Sequence, residues 1–174
     1  ENVIASLSYD RTLKIWDLRQ AEQVLSFDLK QKPFCSTANQ TQVLIGLDNE
    51  QLIFLDWKDL FEQKNPTKQC LLSPLGEGST LLSISFNIEG DKCAVATHNG
   101  LANVSSIFKG PDGKIRLKNE ITVRGHQTYK DKMRDGLYPV HSIGFHPAST
   151  HFLYTVGGDG RIKFWDLNVK KLIV

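Results

Sequence analysis

The chain has 174 residues, of which 40% are apolar, and a formal net charge of +2. This apolar content predicts a packed globular fold rather than a disordered tail. Charges of both signs are interspersed along the chain, which argues against a dedicated nucleic-acid or lipid surface. No apolar stretch approaches the roughly 20 residues that cross a bilayer, and no charged-then-apolar leader is present, so we expect a location in the nucleus and cytoplasm.

The cysteines are few and isolated. Cys35, Cys70 and Cys93 are widely spaced and odd in number, which fits neither a disulfide framework nor paired zinc knuckles. We expect them to be buried, reduced thiols.

A pattern of strand, tight turn and second strand recurs along the chain. It is clearest at residues 6–17 and 155–166, and weaker copies lie at 45–56 and 95–106. Each copy carries Asp or Asn at one turn position, where these residues tolerate positive φ. Alternating apolar residues at 82–86 and 140–145 predict a further strand ahead of two copies. Candidate fourth strands are residues 23–27, 68–72, 115–123 and 171–174.

Four strands in about 40 to 45 residues are typical of one blade of a β-propeller. The predicted fold class is therefore all-β, a partial propeller with blade units at approximately 1–28, 32–72, 80–123 and 138–174. Residues 57–67 and 109–114 are interpreted as insertions. The chain opens inside a second strand, so it holds about three and a half blades. We expect the C-terminal part of a six- or seven-bladed protein, with the first unit's sheet edge either exposed or covered by self-association.

The sequence resembles the WD-repeat family at Gly125-His126, Asp159 and Trp165-Asp166. The resemblance implies a structural hydrogen-bond network of His126, Thr155, Asp159 and Trp165. It implies an incomplete set in the first unit, made of Ser6, Asp10 and Trp16. Leu55 and Ser105 stand at the Trp position of the middle units, so only the end blades should carry the network.

A narrower resemblance rests on Gly125-His126-Gln127, the long charged loop that follows it, and residues 138–147 and 157–160. These are similar to the small propellers of the spindle checkpoint, and to a sister branch that serves messenger-RNA export at the nuclear pore. The resemblance implies a scaffold, located partly at the kinetochore, that binds short peptide segments of checkpoint kinases or kinetochore proteins. The alternatives are an export propeller that binds a nucleoporin and a generic WD-repeat scaffold.

The predicted partner surface is one rim, where the turns at 9–11, 48–50, 99–101 and 158–161 meet the loop 124–137. Basic residues beside aromatic ones and Met are typical of interface centres. The candidate partner-binding residues are Arg11, Arg124, Gln127, Tyr129, Lys130, Lys132, Met133, Arg134, Tyr138 and Arg161. Family members commonly have Arg where this chain has Leu101 and Gln127, which places phosphopeptide reading in doubt.

Catalysis is not predicted. His126, Asp159 and Thr155 superficially resemble a nucleophilic triad, but the repeat explains them as structural residues. His141, His146 and His151 are spaced by five, which does not converge on one ion. Residues 157–160 join two strands, so they form a turn and not a phosphate loop. We expect no catalytic residue, cofactor, metal or small-molecule substrate, no membrane contact and no direct binding of nucleic acid.

Overall fold

The structure, a computed structural model, describes residues 3–19, 22–62, 69–72, 78–130 and 133–173, with the backbone alone for 69–72, 128–130 and 133–135. Strands predominate, and all strand pairs are antiparallel. Within these ranges no helix has the length and apolar character that spanning a membrane requires.

The strands form four successive sheets and one separate hairpin. The first sheet contains β1 (Val3–Leu7), β2 (Thr12–Asp17) and β3 (Glu22–Asp28). The second sheet contains β4 (Pro33–Ala38), β5 (Gln42–Leu47), β6 (Gln51–Asp56) and β7 (Gln69–Leu72), with the helix α1 (Trp57–Glu62) after β6. The third sheet contains β8 (Leu81–Phe86), β9 (Lys92–Thr97), β10 (Ala102–Lys109) and β11 (Ile115–Val123).

The separate hairpin consists of β12 (Gln127–Lys130) and β13 (Met133–Leu137). The fourth sheet contains β14 (Val140–Phe145), β15 (Phe152–Gly157), β16 (Ile162–Asp166) and β17 (Lys171–Leu172). The predicted fold class is confirmed, because sheets of four strands in sequence order follow a first sheet of three strands. In that first sheet β1 is an edge strand.

Two inserted segments contain secondary structure that the sequence did not predict. The segment after His126 was predicted to be a charged loop, and this is wrong, because β12 and β13 pair there as a hairpin. The segment after β6 begins with a short helix. Apolar side chains at Trp57, Leu60 and Phe61 follow the helical i, i+3, i+4 spacing, and Asp56 caps the start by accepting the Lys58 N–H at 2.8 Å.

The turns that follow β1, β5, β9 and β15 have the same geometry in all four units. The residue after the turn Asp or Asn has positive φ in each, at Arg11, Glu50, Gly100 and Gly160. For a side chain other than glycine this conformation costs about 1–2 kcal/mol. The preceding carboxylate or amide offsets part of that cost, as when Asp10 Oδ1 accepts the Thr12 N–H at 3.0 Å across Arg11.

The hydrophobic core lies between consecutive sheets. One cluster of buried side chains joins the first and second sheets, another joins the second and third, and a third joins the third and fourth. Alternation along each strand explains this arrangement, because successive side chains point to opposite faces. In β5, for example, Ile45 packs toward the first sheet and Leu44 toward the third. The strands β4, β8 and β14 lie side by side, which sets the order of the sheets.

The turns that follow β5 and β9 meet the segments that lead into the next sheet. Glu50 Oε1 accepts the Ser79 N–H at 2.9 Å, and Gln127 Nε2 donates to the Asn99 carbonyl at 3.0 Å. In the fourth sheet, the Gly158 N–H donates to the Pro139 carbonyl at 2.8 Å. These turns and the hairpin therefore lie on one side of the molecule, which we call the upper rim.

Candidate functional site

The fourth sheet carries a closed hydrogen-bond network around His126. The imidazole is 1% exposed; its Nδ1 lies 2.8 Å from Asp159 Oδ1 and its Nε2 lies 2.9 Å from Thr155 Oγ1. Trp165 Nε1 donates to the same Thr155 oxygen at 2.9 Å. One tautomer satisfies every atom: Nδ1–H donates to Asp159, and the Thr155 hydroxyl donates to Nε2 while accepting from Trp165.

The charge of Asp159 fits this network. Burial raises the pKa of its carboxyl, but the bonds from His126 and the Arg161 N–H, with the positive charge of Lys163, outweigh burial and hold the pKa below its ordinary value of 3.8. Lys163 also binds the Gly125 carbonyl. The turn, the segment before the hairpin and β16 are thereby tied together.

Two glycines make room for the network. A Cβ at Gly157 would overlap the His126 ring, and one at Gly125 would overlap the Trp165 ring. Neither residue has positive φ, so close approach and not backbone conformation requires glycine here. The sequence pattern that predicted His126, Thr155, Asp159 and Trp165 thus extends to these two positions.

The arrangement of Thr155 with His126 and Trp165 suits a structural role and not nucleophilic attack. Thr155 is 0% exposed, and its oxygen already takes part in bonds with His126 and Trp165. A nucleophile must reach a substrate atom at about 3 Å, and this hydroxyl is enclosed by its own partners.

The first sheet repeats part of the set. Trp16 Nε1 donates to Ser6 Oγ at 2.8 Å, and Asp10 accepts from the Thr12 N–H and hydroxyl at 3.0 and 2.6 Å. These bonds of Asp10 lower the pKa of its carboxyl. Ser6 and Asp10 are exposed and Trp16 is half-buried, so the set lacks the enclosure found in the fourth sheet.

In the second and third sheets, other residues occupy the position that Trp165 has in the fourth sheet. In the second sheet Leu55 replaces Trp and is fully buried among aliphatic side chains. In the third sheet the buried Ser105 donates to Asn103 Oδ1 at 2.7 Å, and Asn103 Nδ2 donates to Asn119 Oδ1 at 2.9 Å and Thr122 Oγ1 at 3.0 Å. This amide network was not predicted, because its partners lie on different strands and share no local pattern.

The hairpin is fixed to the upper rim at both feet. The Tyr138 N–H donates to the carbonyl of the buried His126 at 3.0 Å, and Gln127 Nε2 reaches the Asn99 carbonyl. The neighbouring Gly100 has φ +77°, and a Cβ there would lie 2.9 Å from the His126 and Tyr138 carbonyl oxygens. The third-sheet turn, the hairpin and the fourth sheet are therefore in close contact.

The candidate partner-binding residues fall into three groups. Arg11, Arg124, Tyr138 and Arg161 are exposed on or beside the rim, and Gln127 is half-buried against the third sheet. Tyr129, Lys130, Met133 and Arg134 lie in the hairpin strands, whose backbone alone is described there. Lys132 lies outside the described residues.

An exposed aromatic pair on the same rim was not predicted. Tyr9 is 66% exposed and meets Phe34 edge to face, with ring centroids 5.9 Å apart. With Leu7 and Pro33 they line a groove of about 360 Å³ between the first two sheets. The signal was available in principle, because Tyr9 occupies a turn position where the other units have Asp48, His98 and Gly158.

The other predicted features are placed as follows. Cys35 is half-buried and Cys93 is buried, and burial raises the pKa of each thiol to about 12; the side chain of Cys70 lies outside the described residues. In the part of the chain that the structure describes, no three His, Cys, Asp or Glu side chains are grouped to hold a metal ion.

Successive antiparallel sheets, together with a buried His, Asp, Thr and Trp network in one of them, are the features that a resemblance to the WD-repeat family implies. The family described as "WD domain, G-beta repeat" matches residues 120–166, which contain the whole network. The predicted resemblance to this family is confirmed by that match.

Three relatives are similar to this chain over nearly its whole length. The "Spindle assembly checkpoint protein bub3" of Schizosaccharomyces pombe is 28% identical over 171 residues, 98% of this chain and 50% of that protein. "Protein Rae1" of Drosophila melanogaster is 28% identical over 94% of this chain and 45% of that protein. The "Poly(A)+ RNA export protein" of S. pombe is 28% identical over 94% of this chain and 43% of that protein. The chain spans about half the length of these relatives.

Proposed function

We propose that this chain is part of a non-enzymatic scaffold of the mitotic spindle checkpoint, which binds short peptide segments of checkpoint kinases or kinetochore proteins on its upper rim. The observation that carries the proposal is the hairpin, because it stands on the rim and is tied to both neighbouring sheets. Residues 124–137 contain four basic and two acidic residues. The proposed location is the nucleus and cytoplasm, including the kinetochore.

The rim offers contacts of two kinds. Arg124 and Arg161 are exposed near the hairpin, and the pair Tyr9 and Phe34 supplies apolar surface at the first two sheets. An extended peptide that crosses several sheets would meet both. Gln127 donates to the Asn99 carbonyl and supplies no guanidinium group that would pair with a phosphate or a carboxylate.

The second candidate function is a messenger-RNA-export scaffold that binds a nucleoporin segment. Its support is that one of the relatives above, of the same identity as the checkpoint relative, is an RNA export protein. Co-purification from mitotic cells separates the two functions. Recovery of a checkpoint kinase supports the first, and recovery of a pore protein supports the second.

Reversing Lys130, Lys132 and Arg134 together to Glu tests the role of the hairpin. We expect weaker partner binding, mainly through a slower and salt-sensitive association rate, with thermal stability nearly unchanged. The matched control reverses Lys109, Lys114 and Lys118, which lie on or between β10 and β11 and are exposed. If both triple variants bind the recovered partner as the parent does, the hairpin is only solvated surface.

A further inference from the structure

A groove opens between the first and second sheets on the side of the molecule opposite the upper rim. The turn between β5 and β6 lies on the upper rim, so the other ends of these antiparallel strands lie on the opposite side, which we call the lower rim. For the same reason β1, which leads into an upper-rim turn, begins on the lower rim. The groove has a volume of about 400 Å³ and is lined by Val3, Asn39, Gln40, Trp57, Lys58 and Phe61.

One wall of the groove is a pair of aromatic rings on α1. Trp57 and Phe61 follow the i, i+4 spacing of a helix, and their rings stack with centroids 6.1 Å apart and planes inclined by 20°. Trp57 Nε1 donates to the Asn39 carbonyl at 3.0 Å, and the fully buried Leu60 anchors the helix in the core between the first two sheets. Phe61 is 50% exposed. A preformed aromatic surface of this kind loses little conformational entropy when a ligand binds.

Two polar side chains at the groove are available to a ligand. Gln40 and Lys58 are exposed, and neither side chain forms a hydrogen bond or an ion pair with the described residues. Lys58 alone is charged among the described residues that line the groove, since Asp59 of the same helix lines a separate cleft beside Lys109. The groove is therefore complementary to a ligand that carries a carboxylate beside apolar groups.

The combination of aromatic rings and a side-chain amide favours an extended ligand that contains proline. A polyproline II segment has no internal hydrogen bonds, so its carbonyls remain free to accept from a donor such as the Gln40 amide. The carbonyls inside a helical segment are already paired with its own N–H groups. Aromatic-lined grooves are a recurring way in which proteins bind proline-rich segments.

We propose that the lower-rim groove binds a proline-rich segment of a partner protein, with an acidic residue beside its prolines. The proline rings pack against Trp57 and Phe61, the Gln40 amide donates to a carbonyl of the segment, and the Lys58 ammonium pairs with its carboxylate. This site lies opposite the hairpin. The protein therefore holds this partner independently of a peptide on the upper rim.

The probe is a fluorescent peptide of about nine residues that repeats Pro-Pro-Glu, which makes about three turns of polyproline II. Its control has alanine in place of every proline and keeps the charges. We expect the alanine form to bind the whole chain about tenfold more weakly than the proline form.

The tryptophans report where the peptide binds. The chain has three of them, and a two-dimensional NMR spectrum of the Trp57→Phe variant identifies the indole N–H signal of Trp57 by its loss. In the parent, this signal should shift on titration with the proline peptide. The signals of Trp16 and Trp165 should stay in place.

Substitutions test the groove from the protein side. Phe61→Ala removes the exposed ring, and its matched control is Phe108→Ala, at a residue that is 46% exposed and outside the groove lining. We expect Phe61→Ala to weaken peptide binding about fivefold or more and Phe108→Ala to weaken it less than about twofold. Lys58→Gln should weaken binding about threefold at low salt, and this difference should shrink as salt is added.

Several outcomes overturn the proposal. They are failure of the proline peptide to bind, equal binding of the alanine form, and a Phe61→Ala variant that melts at the parent's temperature and binds as the parent does. If Phe61→Ala melts at a lower temperature, the Trp57 signal of the parent decides: a shift supports the groove as the site, and an unchanged signal overturns it.

Discussion

The first and fourth sheets contain the same hydrogen bond in different surroundings. Trp16 Nε1 donates to Ser6 at 2.8 Å, and Trp165 Nε1 donates to Thr155 at 2.9 Å. In the fourth sheet the acceptor is fully buried, while Ser6 is exposed. The two bonds are nearly equal in length. They differ in what replaces them when the partner is removed, because an exposed group then binds water and a buried group does not.

The difference follows from what lies against each sheet. The fourth sheet packs its network face on Ala94, Ala96 and Val104 of the third sheet, and His126 arrives from the segment between those two sheets. In the first sheet, Ser6 is exposed and Trp16 is half-buried. A repeat motif therefore specifies its local bond, whereas the neighbouring sheet determines how much that bond contributes.

The largest expected effect is that of His126→Ala. The substitution leaves the buried Thr155 and the half-buried Asp159 without their common partner, so we expect the free energy of unfolding to fall by about 3 kcal/mol. Denaturant unfolding followed by circular dichroism measures this. The control is His141→Ala in the same sheet, at an exposed position. Equal stability of the two variants would show that the network does not stabilise the fold.

The next comparison is between Trp165→Phe and Trp16→Phe. Each substitution removes one indole N–H, but Trp165 is 8% exposed and Trp16 is half-buried. We expect a loss of about 2 kcal/mol at Trp165 and less than about 1 kcal/mol at Trp16. Losses of similar size would contradict the view that enclosure by the neighbouring sheet sets the contribution.

Asp159 should contribute to the loss of stability in acid. Its folded-state pKa is held below the ordinary value of 3.8, so the ionised carboxylate stabilises the fold above that value, and the stabilisation is lost as pH falls through the folded pKa. We therefore expect the stability difference between the parent and Asp159→Asn to be largest near neutral pH and to shrink below pH 3.8. A difference that stays constant down to the acid transition would contradict this assignment.

The fold was predictable because the repeat is local. Asp10 and Trp16 stand at the same spacing as Asp159 and Trp165, and each unit contains the alternation and turn residues of a hairpin. The hairpin β12–β13 was missed for a physical reason. Charged residues and Gly136 interrupt the apolar alternation there, and tertiary bonds hold the feet of the hairpin.

The hydrogen-bond networks were predictable from the sequence only where they belong to a repeated motif. The His126 network follows from a motif, but the buried Asn103 network joins residues 16 to 19 positions apart on facing strands. Strand register decides which of those residues meet, and a bulge after Val104 shifts that register. A bulge leaves no pattern in one sequence that a reader could separate from ordinary strand composition.

The smallest expected effect is that of Ser6→Ala, and it gives the sharpest form of the comparison. The free energy of unfolding should fall by less than about 0.5 kcal/mol, because water replaces the lost hydroxyl at Trp16.

A double-mutant cycle of Ser6→Ala with Trp16→Phe should give a coupling energy near zero. The matching cycle of Thr155→Val with Trp165→Phe should give about 1 kcal/mol or more, since both groups are buried there. Equal coupling energies would mean that the bond contributes the same in both places, whatever covers it.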